Sequence, residues 1–391
     1  TIDIETAIGD GFPTPAEARQ EILAITLKSS KNNKYTVFGM KHYDPKLSDL
    51  DVEIEYFRFD NEYTMLSAFV DWWERPEHLP DVITGWNTRF FDIPYIVNRL
   101  ARVLGEDQTR RLSPWKMIDQ QSVTIKGREQ IAFNIAGIQS LDYMDLLQKF
   151  AYTYGNQESY ALNHIAYVVL GEKKLDYSDV GTLNDLYDND FQRYIDYNIK
   201  DVELVHRIDE KLGLINLVIT MAYMAGVNYT DTLGTTAIWD CIIFRELMRK
   251  KIAVPQPVEN KKTQFVGGYV KDPHVGMHDW VMSFDLNSLY PNIIVQYNMS
   301  PETLIRMPNA IGAKAANGAT FRKDKKGIIP EIVEKMYDTR VATKEQMLKV
   351  KRKIEIDKTD ALVREATILE NKQMATKILL NSLYGAMGNR Y

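Results

Sequence analysis

One cysteine, Cys241, stands in a chain of 391 residues, so no internal disulfide can form and no cysteine-built zinc site exists. Any metal must sit on carboxylates or histidines, and a lone thiol points to a reducing, intracellular setting. Long apolar runs are missing too. The longest, 213–227, is interrupted by Asn216 and falls short of the roughly 18 residues that cross a bilayer, so it reads as a buried helix. Positive charge is not in excess: 48 Lys and Arg against 53 Asp and Glu leave a net −5, which excludes a globally basic coat but not local patches. Fixed-period repeats and low-complexity tracts are absent. What is present is an ordinary folded composition, 45% hydrophobic and 26% charged, at a length that allows two or three domains. Thr1 rather than Met opens the sequence, inside a strand-like segment, as expected of an excised or split piece of something longer.

Alternation of polar and apolar residues over 21–38, with Asn32-Asn33 as the turn, predicts a β-hairpin joined by a first strand at 1–4. Helical spacing follows at 63–73, a short buried strand at 82–86, and a helix at 92–104 opened by Ile93-Pro94. The segment 123–138 reads as a second hairpin, placed either beside a cleft, where it could hold two nucleic-acid strands apart, or as an inert edge. Helices at 143–152, 161–170 and 191–210 complete an α/β domain ending near residue 213. His164 and His206 fall on these helices and read as packed or surface residues. A helical stretch, 214–248, and a proline-containing connector, 254–258, come next. The apolar run WVMSF (280–284) then reads as a buried strand entering a turn and short helix at DLNSLYPNII. From Pro330 to Gly385 there is no further proline and no earlier glycine, and the helical period breaks near 356–359, which predicts two long helices packed as a hairpin. Residues 340–377 carry ten Lys and Arg against six Asp and Glu, most simply a solvated helix face.

Three acidic patterns carry chemistry. In a strand, Asp3 and Glu5 of TIDIET project to one face while Ile2 and Ile4 enter the core. Two like charges side by side are costly unless a cation neutralises them. The buried strand VITGW delivers Asn87, Phe91 and, at the head of a helix, Asp92. Spacing of four puts Tyr197 and Asp201 on one helix face. Each has an ordinary alternative: an exposed strand edge, a helix N-cap, a surface pair. In this order, DxE, NxxxFD and YxxxD resemble the exonuclease motifs of proofreading exonucleases. The resemblance implies metal ligation by Asp3, Glu5, Asp92 and Asp201, with Tyr197 positioning the attacking water. Hard oxygen ligands suit two Mg²⁺ or Mn²⁺ ions per site, about 4 Å apart, acting on a phosphodiester.

The second half carries its own patterns. DLNSLYPN, from Asp285 to Asn292, is similar to motif A of family B DNA polymerases, DxxSLYPS, with Asn292 in place of the last serine. The resemblance makes Asp285 a metal ligand, brings the amides of Leu286, Asn287, Ser288, Leu289 and Tyr290 to a triphosphate, and sets the Tyr290 ring against a ribose 2′-hydroxyl. KILLNSLYG is similar to motif B, KxxxNSxYG, and places Lys377 and Asn381 one helical turn apart toward the same phosphates, with Tyr384 and Gly385 near DNA. Arg340 and Lys344 repeat the i,i+4 geometry on the preceding helix and resemble a triphosphate-binding pair. Phe265, Gly267 and Gly268 resemble a YxGG element that approaches a DNA strand, as Asn87 and Phe91 do in the first half.

The words SLDYMDLLQKF, WDCIIF and NMSPETLI place the likeness among the replicative polymerases of T-even-type bacteriophages. It implies a ribonuclease H-like α/β exonuclease domain at 1–213, with a mixed sheet and flanking helices. A helical linker at 214–256, a partial α+β palm at 257–327, a helical-hairpin fingers element at 328–388 and the start of a second palm segment at 389–391 follow. Implied partners are primer-template DNA, single-stranded 3′ ends and deoxynucleoside triphosphates. A second polypeptide carrying motif C and thumb, a sliding clamp and a single-strand-binding protein are implied as well, in the cytoplasm and without a membrane. A motif C with further carboxylates is absent from the sequence, so Asp285 alone makes half a polymerase site. The readings are a fragment or split subunit of such a polymerase with proofreading activity, a dedicated exonuclease with a vestigial polymerase region, and a non-enzymatic DNA-binding protein. The intact motifs favour the first.

Overall fold

A computed structural model of the chain describes all residues except 10, 12, 126, 152–153, 255–268, 308–310 and 389–391. The chain divides into two compact units, Thr1–Ile215 and Asn216–Tyr391.

In the first unit, β1 (Ile2–Thr6), β2 (Ile22–Lys28), β3 (Lys34–Gly39) and β4 (Glu53–Arg58) form a sheet in that order, antiparallel except for the parallel β3–β4 pair. The Ile2 N–H donates to the Thr84 carbonyl (2.9 Å), which sets the end of β5 (Val82–Ile83) beside β1. Helix α1 (Glu62–Trp73) precedes β5, and α2 (Asp92–Val103) and the short α3 (Glu106–Thr109) follow it. A hairpin, β6 (Ile118–Ile125) and β7 (Arg128–Ile135), comes next. It starts five residues earlier than the sequence pattern placed it, with Gly127 at φ +78° in its turn. Strand β8 (Gln139–Ser140) pairs with β5 ahead of α4 (Tyr143–Phe150), α5 (Leu162–Leu170), α6 (Leu183–Asn189) and α7 (Phe191–Leu212).

Period-two alternation splits the core between the two faces of the sheet. On one face Ile2, Ile4, Ile25 and Phe38 pack with Met65, Phe69, Ile96 and Leu100 of α1 and α2. On the other, Ala24, Tyr35 and Val37, with Leu23 from the register shift in β2, meet Phe191, Tyr194, Ile195, Ile199 and Val202 of α7. A register shift at Glu5 and Thr6 against β2 marks a bulge where β1 ends. Two helices therefore bring polar groups to one strand, α2 from its first residue and α7 from the middle of its buried stripe.

The second unit begins within α8 (Leu214–Ala225) and continues through α9 (Thr235–Arg249), α10 (Leu289–Tyr297), short strands β9 (Leu304–Ile305), β10 (Ala313–Lys314) and β11 (Thr320–Phe321), α11 (Ile328–Ile356) and α12 (Asp360–Met387). The long helices form an antiparallel hairpin, as the break in period predicted, and Lys351 pairs with Glu370 across it (2.6 Å). Trp239 of α9, Ile294 of α10, and Ile329, Ile332, Val333, Leu380 and Leu383 of the hairpin make its core, and the Trp239 indole N–H donates to the Ser382 hydroxyl (3.0 Å). The buried strand expected at 280–284 is not there. Trp280, Met282 and Phe284 are almost fully exposed, and no described residue pairs with that backbone. Hydrophobicity alone does not make a strand; a neighbouring strand must take its backbone hydrogen bonds, and the three-stranded sheet β10–β11–β9 does not. No helix of the described residues is long and apolar enough to cross a membrane.

Candidate active site

Strand β1 presents Asp3 and Glu5 on the face opposite Ile2 and Ile4, as alternation required. Helix α7 presents Asp201 on the same side, because Ile199 and Val202 turn its buried stripe onto the sheet. Carboxylate oxygens of Asp3, Glu5 and Asp201 lie within 4.8 Å of one another. Asp92 stands beside that group rather than in it: its Oδ1 accepts the Ile4 N–H at 3.0 Å, between Asp3 and Glu5 on the strand. It is the first residue of α2, not the cap, since Phe91 holds the cap position without a side-chain bond.

Burial is the leading electrostatic fact. It raises the Asp3 carboxyl well above the usual range, and the charges of Asp92, Asp201 and Glu5 raise it further. Glu5 is pushed up to about 8, by burial first and then by Asp201. Asp92 is pushed up to about 7 by burial, against the stabilising Ile4 N–H. Asp201 is raised by burial, with Lys174 opposing. One oxygen of Asp201, Oδ1, is buried and has no partner among the described residues. Three crowded acids, held by the fold, with an orphan oxygen turned inward, are suited to a hard divalent cation.

Three residues the motif reading did not single out complete the centre. The Lys174 ammonium pairs with Asp201 Oδ2 and donates to the Tyr197 hydroxyl at 3.1 Å. Tyr197, 8% exposed and edge-on to Tyr177 (5.3 Å), is thus fixed beside the carboxylates. Another is Asp142. It caps α4 through the Met144 N–H (2.9 Å) and accepts the amides of Asn87 (3.2 Å) and Arg89 (3.0 Å), which pins the turn where Asn87 adopts φ +61°. Phe91 lies against Tyr95 at 5.7 Å. Asn198 adds a bond from Nδ2 to Asp3 Oδ2 (2.6 Å) and accepts from the Thr26 hydroxyl, orienting Asp3 from the sheet. Lys174 sits in a charged loop, GEKKLDYSD, whose composition reads as solvated surface, and Asp142 reads as a cap. Neither spacing carries a signal of its own.

In the second unit the residues of the two later motifs also meet. The Tyr290 and Tyr384 rings stack at 4.9 Å and 11°. Arg340 Nη1 reaches the Ser288 hydroxyl (3.4 Å), and Asn287 Nδ2 donates to the Tyr337 hydroxyl (3.1 Å). A cavity of about 210 Å³ is lined by Asn287, Tyr337, Arg340, Val341, Lys344 and Leu348, among others, and the buried Arg340 Nε has no partner among the described residues. Counting from the Lys351–Glu370 pair, seven residues back on α11 and seven forward on α12 bring Lys344 level with Lys377; eleven bring Arg340 level with Asn381. Leu286 and Leu289 are exposed, as is Gly385. Asp285 is exposed too, and among the described residues no three metal-binding side chains gather around it. Phe265, Gly267 and Gly268 lie outside the described residues.

Two family models match the chain: "DNA polymerase family B, exonuclease domain" over residues 1–165 and "DNA polymerase family B" over residues 232–391. Curated relatives include the DNA-directed DNA polymerases of Escherichia phage RB69 (31% identical) and Enterobacteria phage T4 (33%), each alignment covering 99% of this chain and 51% of the relative. The DNA polymerase delta catalytic subunit of Bos taurus is 29% identical over 83% of this chain and 31% of the relative. The chain thus spans about half the length of the phage relatives it matches.

Proposed function

Because the chain belongs to DNA polymerase family B, we propose that its first unit is a 3′–5′ exonuclease that removes nucleotides from DNA 3′ ends, and that its second unit holds the nucleotide-binding side of a polymerase site. The observation that carries the exonuclease reading is the convergence of Asp3, Glu5 and Asp201 within 4.8 Å, with Asp201 Oδ1 left for a ligand. Asp3, Glu5, Asp201 and, beside them, Asp92 would hold two Mg²⁺ or Mn²⁺ ions. When bound, such ions supply Lewis-acid stabilisation of the phosphodiester and of the leaving oxygen. Tyr197 would orient the attacking water by its hydroxyl, with Lys174 and Tyr177 fixing the ring. Asn198 and Asp142 would keep Asp3 and the Asn87 turn in place, so that Asn87 and Phe91 can meet the frayed strand. The whole first unit fits a ribonuclease H-like sheet, and the hairpin β6–β7 a strand separator.

For the second unit, α11 and α12 would act as fingers. Arg340, Lys344, Lys377 and Asn381 would bind the triphosphate, the amides of residues 286–290 would approach it, and Tyr290, stacked on Tyr384, would face the sugar. Asp285 would be the metal ligand of this site. A single exposed carboxylate holds too little charge for two ions, so primer extension would need carboxylates and a pairing strand for 280–284 from beyond the described residues or from a second polypeptide. Clamp and single-strand-binding protein would be partners of the complete polymerase.

The test is Mg²⁺-dependent release of 3′ nucleotides from single-stranded DNA. Asp201→Ala removes an ion ligand worth several kcal/mol and should lower the rate on the order of a thousandfold or more. Tyr197→Phe removes one hydrogen bond and should cost about tenfold. Equal, near-total loss in both would contradict these roles; undiminished release by Asp201→Ala would defeat the exonuclease reading.

A further inference from the structure

We propose that Lys174 is a built-in counter-ion of the carboxylate centre which competes with a divalent cation for the charge of Asp201, and that the Glu172–Arg207 pair holds its loop in place for that competition. The inference rests on the metal reading of this centre and concerns how the centre is regulated.

The loop is fixed at both ends. Helix α5 stops at Gly171, whose φ of +79° turns the chain sharply, a conformation a side chain would strain. Glu172 follows at once and is gripped by Arg207 in a two-bond fork, Nη1 to Oε2 at 2.6 Å and Nη2 to Oε1, with Lys200 at 3.5 Å. Lys200 and Arg207 belong to α7, the helix that carries Asp201. Glu203 on the same helix accepts from both, Lys200 at 2.7 Å and Arg207 at 3.3 Å, and keeps the grip oriented. Two residues on, the Lys174 N–H donates to Asn163 Oδ1 of α5 (2.9 Å). With its backbone tied to two helices, the loop leaves Lys174 one free part, its side chain. That side chain crosses α7 to Asp201 Oδ2 and the Tyr197 hydroxyl and is 25% exposed.

Charge decides what this arrangement does. Burial opposes a charge on Lys174, but Asp201, Tyr197 and Asp3 together more than offset it, so the ammonium stays protonated. It supplies one positive charge to a centre of three gathered carboxylates with Asp92 beside them. A divalent cation supplies two, and on the unpartnered Oδ1 it would share the Asp201 carboxylate with the ammonium on Oδ2. At a few ångströms the two cations repel too strongly for both to keep full hold of Asp201, so one is bound at the other's expense. A merely structural ion pair would show no such competition.

The competition is measurable without substrate, by calorimetric titration of the full chain with MnCl₂ in the absence of DNA. Lys174→Met should bind Mn²⁺ roughly tenfold or more tightly than the wild type, since it removes a unit charge next to the ion. Arg207→Ala leaves the ammonium intact but frees its loop, and should tighten binding by a smaller factor; it also carries the test if Lys174→Met does not fold. In chelator Lys174→Met should melt below the wild type and gain more from Mn²⁺ than the wild type gains. Unchanged or weaker Mn²⁺ binding in the variants overturns the inference while leaving the metal site standing. Absence of any Asp201-dependent Mn²⁺ binding in the wild type defeats the metal reading itself, and the inference with it.

Discussion

Raising the pH of the metal-free protein should destabilise its first unit. Glu5, ordinarily near 4.5, is pushed up to about 8, and Asp92, ordinarily near 3.8, to about 7, in each case by burial first. In the unfolded chain both release their protons near their ordinary values. Between about pH 4 and pH 8 the folded state therefore binds more protons than the unfolded one. The sign follows: this contribution is fully present below pH 4 and is lost as pH rises through the folded values of 7 to 8. Each tenfold difference in proton affinity between the folded and unfolded states is worth about 1.4 kcal/mol, so a group bound about a thousandfold more tightly in the folded state accounts for ~4 kcal/mol. Because these carboxylates repel one another, their contributions do not add, and ~4 kcal/mol serves for the whole centre. For a unit of some 200 residues that is a fall in Tm of about 8–16 °C from pH 5 to pH 8.5 in chelator. The double variant Glu5→Gln, Asp92→Asn keeps the shapes, removes both titrations and should flatten part of this slope, leaving what Asp3 and Asp201 contribute. Mg²⁺ at pH 8 should restore the wild type but not the variant, by about 2.7 kcal/mol at a hundred times its dissociation constant. Thermal unfolding followed by calorimetry reads all of these. An equal slope in the double variant, or a wild-type stability that rises over the range, would refute the reasoning.

Two further outcomes follow from the structure. Arg99, with its side chain 9% exposed, forks onto Glu62 (2.6 and 2.8 Å) and donates to the carbonyls of Ala18 and Arg19. Arg99→Met strands the Glu62 charge and should cost ~3–5 kcal/mol by chemical denaturation; a loss under about 1 kcal/mol would show the pair to be dispensable. In the second unit, Arg340→Ala together with Lys377→Ala should weaken binding of a fluorescent deoxynucleoside triphosphate by at least about a hundredfold, since two charge-assisted contacts are lost. Unchanged affinity would remove the triphosphate from these two side chains.

Much of this was legible in the sequence for physical reasons. Alternation in TIDIET states which face Asp3 and Glu5 occupy, and the long period of 328–387, unbroken by proline or glycine except at its ends, states a helical hairpin. Asp201 is readable because Tyr197 and Ile199 set the phase of α7 around it. What escaped has a common cause in long-range pairing. Strand β4 carries charge at Glu53, Glu55 and Arg58 and takes its place at the sheet edge by pairing parallel to β3. Lys174 reaches the carboxylates from a charged loop whose local composition resembles any surface turn. The run WVMSF failed in the opposite sense, because its apolar pattern described a strand while its backbone has no neighbour among the described residues.

The central claim is that Asp3, Glu5 and Asp201, with Asp92 beside them, form a divalent-metal centre. The most direct measurement is the anomalous difference density of crystals of the chain soaked in Mn²⁺. Manganese peaks should appear coordinated by oxygens of Asp3, Glu5 and Asp201 and be absent from Asp201→Ala crystals. Density that leaves these carboxylates without an ion, at concentrations that fill other sites, would contradict the claim.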